Sequence, residues 1–378
     1  EVLKKFVHSS FFKKPKPIIV IEPAKEPLAE KVPNKKFRAN SKWLIVSGII
    51  IFLFITLFVG YPLVKKNIDD CAWNKLKVGD WSAAKRCANM DVVYDLAVLA
   101  EQGQNVFNDP SVDEIKNFSI HLSTFGEKLA QQQLEIAPTL EKHNINLGQL
   151  RSLIQKSRQA VDDLPFLLGL TKSVNYLILI QDNHELRASG GFIEGLALVS
   201  VTGGHITDVQ LLSSFTADAQ MKGNVEPPTD LKKTLGEQSW YFRDSNWDAS
   251  FPVVAQKAAW FVAKQLNRQV DVVVATNTMS LPGLLDIVDG VALEDGRKVN
   301  SSNVEQIVIQ SATADQSRKS VLLAIVQAVL PKIQNLSATQ SSQVSAWLVK
   351  NLLSRNIFLS GVSTSLNGIA ASGWDGGI

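Results

Sequence analysis

The run Trp43–Val64 constrains this chain more than any other feature: twenty-two residues, WLIVSGIIIFLFITLFVGYPLV, without a charge. At about 1.5 Å rise per residue, a helix of that length spans about 33 Å, the thickness of a bilayer core. A buried helix of a soluble protein would normally keep a polar face over such a length, and this run has none. Trp43 and Tyr61 stand near its ends, where interfacial aromatics sit. A signal peptide, the rival reading, has an apolar core of about 7–15 residues and a small-residue cleavage site. That site is absent, so the run is expected to be one transmembrane helix.

Charge is distributed around this run unevenly. Residues 1–42 hold eleven Lys and Arg against four Glu, a surplus of seven. The whole chain carries +3, so the remainder is acidic by four. The basic flank belongs on the cytoplasmic side, which places residues after Val64 outside. Lysines mixed with Pro15, Pro17, Pro23, Pro27 and Pro33 neither form a helix nor bury a core, so residues 1–42 read as a disordered cytoplasmic tail. An acidic remainder argues against a nucleic-acid partner, which needs a basic face on the folded part. The chain starts at Glu1 rather than Met and stops at Ile378 in mid-pattern, as expected of a fragment.

Residues 65–165 read as an extracytoplasmic helical stalk. Cys71 and Cys87, the only cysteines, flank a break at Gly79-Asp80 between two short amphipathic segments. An oxidising exterior permits a disulfide across it, stabilising by about 3 kcal/mol in the chain-entropy model; two buried thiols are the alternative. Ile115, Phe118, Leu122, Phe125, Leu129 and Ile136 then keep a three-four rhythm. Beyond a turn at Pro138 to Asn146, Leu147, Leu150, Ile154, Ser157, Val161 and Leu164 repeat it. Two such helices joined by a short connection make an antiparallel hairpin, a stalk or a brace for the domain C-terminal to it.

Residues 166–378 are expected to form an α/β domain with a mixed sheet and flanking helices, truncated at its C-terminal end. Tyr176 to Ile180 is an apolar, buried strand; a charged crossing comes next, then a strand from Phe192 to Val201. Gly203-Gly204 is a hairpin turn into a partner from Ile206 to Leu212. Met221 to Gly236 reads as a loop. A helix starts around Ser250 to Pro252, Val270 to Thr276 is a strand, and Leu281 to Val288 is a short helix. Val291 to Leu293 and Lys298-Val299 form a second hairpin. Ser302 and Glu305 are spaced as a capping box for a helix from Asn303 to Gln310. Helices from Gln316 to Leu330 and Ser341 to Leu353 complete the alternation of strands and helices.

No Walker A loop, G-x-S-x-G, H-E-x-x-H or G-x-G-x-x-G occurs, and the five histidines are scattered. The polar residues that cluster are Asp182, Glu185, Arg187 and Glu194 in the crossing, and Arg243, Asp244 and Asp248 in a later aromatic loop. Arginine grips phosphate bidentately and carboxylates hold Mg²⁺, so these residues suit a phosphate–metal pair. The same residues also suit an arginine–carboxylate network that only pins the loop to the sheet edge.

Glu185-Leu186-Arg187-Ala188-Ser189-Gly190-Gly191-Phe192-Ile193 and Arg243-Asp244-Ser245-Asn246-Trp247-Asp248-Ala249-Ser250-Phe251-Pro252 resemble the two motifs of the domain of unknown function 4012 family. The likeness covers about residues 175–300 and implies a bacterial envelope protein with one N-terminal anchor and an outward-facing domain. It brings no activity with it. The strand Tyr176-Leu177-Ile178-Leu179 before an arginine-bearing crossing also resembles the LytR-CpsA-Psr family. So does Asp271-Val272-Val273-Val274 ahead of Leu285-Asp286-Ile287-Val288-Asp289-Gly290-Val291. That family implies transfer of lipid-pyrophosphate-linked glycopolymers onto the cell wall, with arginines on the pyrophosphate and Mg²⁺ held by aspartate. On this likeness Arg187, with Arg243 and Asp244 from the other loop, would stand at catalytic positions. Independently of that likeness, Glu185, Gly190, Gly191, Trp240, Trp247 and Asp248 are the candidate ligand-binding residues of the two loops, with the membrane and a lipid-linked glycan or cell-wall polymer as expected partners. Two departures mark this chain: no Asp closely follows Arg187, and Ser213-Ser214-Phe215-Thr216 stands where an Arg-Asp pair is expected. A non-catalytic scaffold, or recognition of glycan or a partner through Trp240, Tyr241 and Trp247, is the alternative. Binding by those aromatics requires them exposed; scaffolding requires Arg187 and Arg243 buried and paired.

Overall fold

The computed structural model describes residues 110–131, 147–313, 320–333 and 335–377, with a few helical positions between 95 and 106. The expected tail, transmembrane run, Cys71–Cys87 pair and stalk turn lie outside these residues. Among the described residues, no helix is long and apolar enough to cross a membrane.

The centre is a five-stranded mixed sheet in the order β3-β2-β1-β4-β7. Its strands are β1 (Val174–Asp182), β2 (Phe192–Thr202), β3 (His205–Ser213), β4 (Val272–Asn277) and β7 (Ile357–Gly361). β1 pairs antiparallel with β2 and parallel with β4; β2–β3 and β4–β7 are antiparallel. The middle of β1, Tyr176 to Ile180, is apolar because both of its faces are covered. Leu177 and Leu179 meet one core, built on Val254, Ala258, Phe261 and Val262 of a helix at Phe251–Leu266. Tyr176 and Ile180 meet the other, where the remaining long helices pack.

In chain order the helices are α1 (Val112–Gln131), α2 (Leu147–Val161), α3 (Leu164–Leu167), α4 (Ser214–Asp218), α5 (Thr229–Leu235) and α6 (Phe251–Leu266). After β4 come α7 (Leu281–Ile287), the small hairpin β5 (Val291–Ala292) and β6 (Lys298–Val299), and α8 (Val304–Thr313). The chain closes with α9 (Val321–Ile333), α10 (Ala338–Leu353), β7 and α11 (Asn367–Ser372).

The expected helical hairpin is present as α1 and α2, with Ile115, Phe118, Leu122, Phe125 and Leu129 all buried. It braces the domain rather than standing off it. Asp163 Oδ2 accepts the backbone N–H of Ile369 (2.8 Å), and Ser372 Oγ donates to the carbonyl of Lys156 (2.8 Å). Gly368 permits this approach, since a Cβ there would overlap the carbonyl of Gln159. Burial raises the Asp163 carboxyl pKa in spite of those backbone hydrogen bonds.

Three sequence expectations change. Half of the Met221–Gly236 loop is helix: buried Leu231 anchors α5, which starts after Pro228 and ends at Gly236 in the left-handed region. The Ser302–Glu305 capping box does not form. Ser302 instead donates its backbone N–H and hydroxyl to Asn300 Oδ1, and Asn303 Oδ1 accepts the Asn300 N–H, so a local turn precedes the helix at Val304. A capping box does form at Ser337 and Gln340, at the start of α10. Finally, β7 and α11 extend the fold beyond the last expected helix.

Asp271 fastens the start of β4 to both neighbours. It accepts from Ser363 Oγ (2.6 Å) and the Asn175 N–H (2.9 Å), and Lys172 lies within 3.4 Å. Burial opposes its ionised form, but these partners outweigh burial and hold the carboxyl below its ordinary 3.8. Such a group stabilises the fold above the unfolded-state pKa, and that stability is lost as pH falls through the depressed value. Asp271→Asn is therefore expected to be less stable than the parent at pH 7. In urea unfolding at a series of pH values, the gap should close as pH drops below 3.8.

Candidate functional site

The two motif loops meet over the C-terminal ends of β1 and β4, the described sheet's parallel pair. Strand β2 leaves β1 on one side and β4 lies on the other, so the chain diverges there. Open α/β sheets bind ligands at such an edge. The register of β1 on β2 also shifts between Ile180 and Gln181, giving β2 a bulge at Glu194.

The crossing loop is seated by its glycines. Gly191 has φ +122°, and a Cβ there would overlap the Asp182 backbone. Gly190 has φ +116° and lies on the Gln181 side chain, whose Oε1 a Cβ would approach to 2.8 Å. Asn246, fully buried in the second motif, donates from Nδ2 to the Gly191 carbonyl (2.6 Å) and so locks one loop to the other.

Arg187 is the second tie. Its side chain is 7% exposed, and it donates to Asp244 Oδ1 from Nη2 (3.0 Å) and Nε (3.3 Å). Asp244 is 3% exposed. Arg187 also reaches Glu185 Oε1 (3.2 Å) and the Leu186 carbonyl (2.9 Å), and its guanidinium lies 5.3 Å from the Phe192 ring centre. Arg243 is on the other side of Asp244, with Nε 3.8 Å from Oδ2. Its stronger partner is Asp218 (3.0 Å), with Glu237 at 3.5 Å and the Tyr241 ring 3.8 Å away. Asp218 also accepts from the Phe242 N–H (2.7 Å) and Gln265 (3.0 Å). Burial raises its pKa, against the pull of Arg243 and these hydrogen bonds.

Four carboxylates thus surround two guanidinium groups. Carboxylates outnumber guanidinium groups in the network, which offers no surplus positive charge to a phosphate. Trp240 serves it structurally, donating from Nε1 to the Asp244 carbonyl (3.0 Å) and packing edge-on against Phe261. Trp247 and Tyr241 are half-buried. Asp248 stays apart: it is exposed and accepts the Ser250 N–H (2.8 Å) at the entry to α6. Of the expected site residues, Glu185, Arg187, Arg243 and Asp244 are therefore brought together by direct contact, with Gly190 and Gly191 forming the base of their loop. Asp218 was not anticipated. It lies between the returning strand and α5 in a segment with no motif, and only the fold brings it to Arg243. Asn246 belongs to the second motif, but its role depends on the backbone of Gly191, which sequence does not display.

Beside this network lies a pocket of about 250 Å³, lined by Ser189, Gly190, Phe251, Arg355, Phe358 and Gly376 among others. Beneath it, Gln181 Nε2 and Asn246 Oδ1 are buried without hydrogen-bond partners, as is Ser189 Oγ in its wall.

Residues 172–312 match the sequence model of the family described as protein of unknown function (DUF4012), in agreement with the resemblance carried by the two motifs. No curated protein matches the chain. Among solved structures, a Streptococcus agalactiae protein aligns at 17% identity over 55% of this chain and 75% of its own, with a TM-score of 0.33. A Listeria innocua protein, Lin1025, aligns at 12% over 54% and 78%, with a TM-score of 0.29. TagT, of the LytR-CpsA-Psr type and described as bound to LIIa-WTA, aligns at 13% over 54% and 74%, with a TM-score of 0.28. Alignments this distant assign neither a ligand nor a residue role to this chain.

Removing Asp244 strands a buried guanidinium. Asp244→Ala should cost about 3–5 kcal/mol in urea unfolding, as breaking a buried ion pair does. Glu185 is half exposed, so Glu185→Ala should cost about 1 kcal/mol or less.

Proposed function

We propose that this protein is anchored in the bacterial cell membrane by Trp43–Val64, faces outward, and binds a cell-envelope glycopolymer through the loop edge of its α/β domain. In this reading Arg187 and Arg243 hold the binding edge together and do not transfer phosphoryl groups. The observation that carries it is the charge balance around Asp244: Glu185, Asp244, Asp218 and Glu237 already occupy both arginines. A guanidinium committed to a buried carboxylate must give that partner up before it can grip a pyrophosphate, and the stranded carboxylate makes the exchange costly. The anchoring half of the proposal is supported by the uncharged run and the basic flank before it. The glycopolymer half is supported by the resemblance of the two motifs to envelope proteins, and by their position at the edge where α/β sheets bind ligands.

Transfer of a lipid-pyrophosphate-linked polymer is the second reading. It would use Arg243, the more exposed of the two at 17%, after exchange of Asp218 for phosphate, with Mg²⁺ as a companion ion. One experiment separates these readings. Full-length protein in detergent is incubated with bacterial wall sacculi, either intact or stripped by acid of phosphate-linked polymer. The proposal expects sedimentation with intact walls, several-fold less with stripped walls, and no polymer newly attached to wall acceptor when lipid-linked polymer is supplied with Mg²⁺. Equal sedimentation with both preparations would contradict polymer binding, and newly attached polymer would overturn the non-catalytic reading.

A further inference from the structure

The outer side of α6 carries a stripe that the core does not use. Val253, Lys257, Trp260 and Lys264 recur at steps of four, three and four, which places them on one face of the helix over about 16 Å. The opposite face is sealed onto the sheet through Val254, Ala258, Phe261 and Val262. Val253 is 50% exposed and Trp260 38%, and Lys264 is exposed. The Lys257 ammonium lies 4.5 Å from the Trp240 ring centre and 5.2 Å from that of Trp260, so its charge rests against two indoles. α6 itself contains no Asp or Glu. Among the described residues, neither Lys257 nor Lys264 pairs with a carboxylate. The acids around the helix are engaged elsewhere: Asp218 with Arg243, Asp208 with Arg268 at 3.7 Å, and Asp248 with the Ser250 N–H.

We propose that this stripe docks the domain on an anionic phospholipid surface, with Val253 and Trp260 at the headgroup boundary and Lys257 and Lys264 on lipid phosphates. Charge complementarity selects this occupant. Apolar and aromatic side chains flanked by lysines on one helix face are what an anionic membrane interface binds. An apolar protein surface would instead desolvate both ammonium groups without pairing them. The docking rests on the anchoring half of the reading above. An anchored chain meets the bilayer intramolecularly, so a small surface is sufficient. Because α6 covers one face of the sheet, docking lays the sheet along the membrane and leaves the loop edge open at its rim.

The test places the full chain in nanodiscs of phosphatidylcholine, or of phosphatidylcholine mixed with phosphatidylglycerol. Lysines are labelled with an amine-reactive reagent and read by mass spectrometry. Lys298, exposed on the β5–β6 hairpin that packs on the other core, is the internal reference. Relative to Lys298, Lys264 should label at least about fivefold more slowly in the anionic discs, the equivalent of one basic contact with anionic lipid. Added salt should remove the difference. Val253→Asp puts a carboxylate in the first turn of α6, where the helix dipole favours it, so the fold is kept and the slow labelling should be lost. Lys257→Gln should lose part of it. Equal labelling of Lys264 in both discs overturns the docking, whether fast, as on a free face, or slow, as under a second copy or another segment of this chain. Slow labelling that survives Val253→Asp overturns it too. Val253→Asp should still sediment with intact walls; loss of that binding would place the polymer on α6 and overturn the lipid assignment. A chain that does not enter the discs removes the anchor and not the face, which is then read by the same labelling with anionic vesicles added.

Discussion

A single buried carboxylate holds the functional edge of this domain together. Asp244 stands between Arg187, which it binds at 3.0 Å, and Arg243, 3.8 Å away, and through them it joins two loops more than fifty residues apart. Burial makes the arrangement stringent. An exposed pair would contribute little, whereas a guanidinium sealed beneath a loop cannot be left alone without a large penalty. Asn246 on the Gly191 carbonyl repeats the same connection with an uncharged group. The edge is therefore fixed before any ligand arrives.

A fixed edge is useful for recognition. The loops rest on the ends of β1 and β4, whose side chains are packed on both faces, so the positions of Gly190, Ser189 and Phe251 are set by the sheet and α6. Gly190 and Gly191 let the crossing loop lie directly on the last residues of β1. That close contact leaves the polar groups of Gln181 and Asn246 beneath the pocket only partly satisfied.

The sequence was most informative where structure is local. The apolar runs of β1 and β2, the Gly203-Gly204 turn and the heptad rhythm of α1 each depend on neighbours a few residues away, and each is found. Ser302 shows the limit even there, because it joins a turn with Asn300, two residues earlier, in place of the capping pattern with Glu305. The motif arginines are legible in the sequence as a cluster with carboxylates, a composition that suits internal pairing as well as phosphate binding. What could not be read was the partner supplied by topology. Asp218 reaches Arg243 only through the fold of α4. Strand β7, which brings Phe358 and Arg355 to this edge, carries no turn or capping signal strong enough to place it.

The central claim is that the Arg187–Asp244 pair is structural and that polymer is bound elsewhere on the same edge. Its most direct test replaces both partners with apolar residues, Arg187→Met with Asp244→Leu, so that no buried charge is stranded. Unfolding and wall sedimentation are then measured on the same preparation. The account predicts a folded protein, more stable than Asp244→Ala alone, that still sediments with intact walls. A double variant that folds normally but no longer binds walls would contradict it, placing the arginine on the polymer itself.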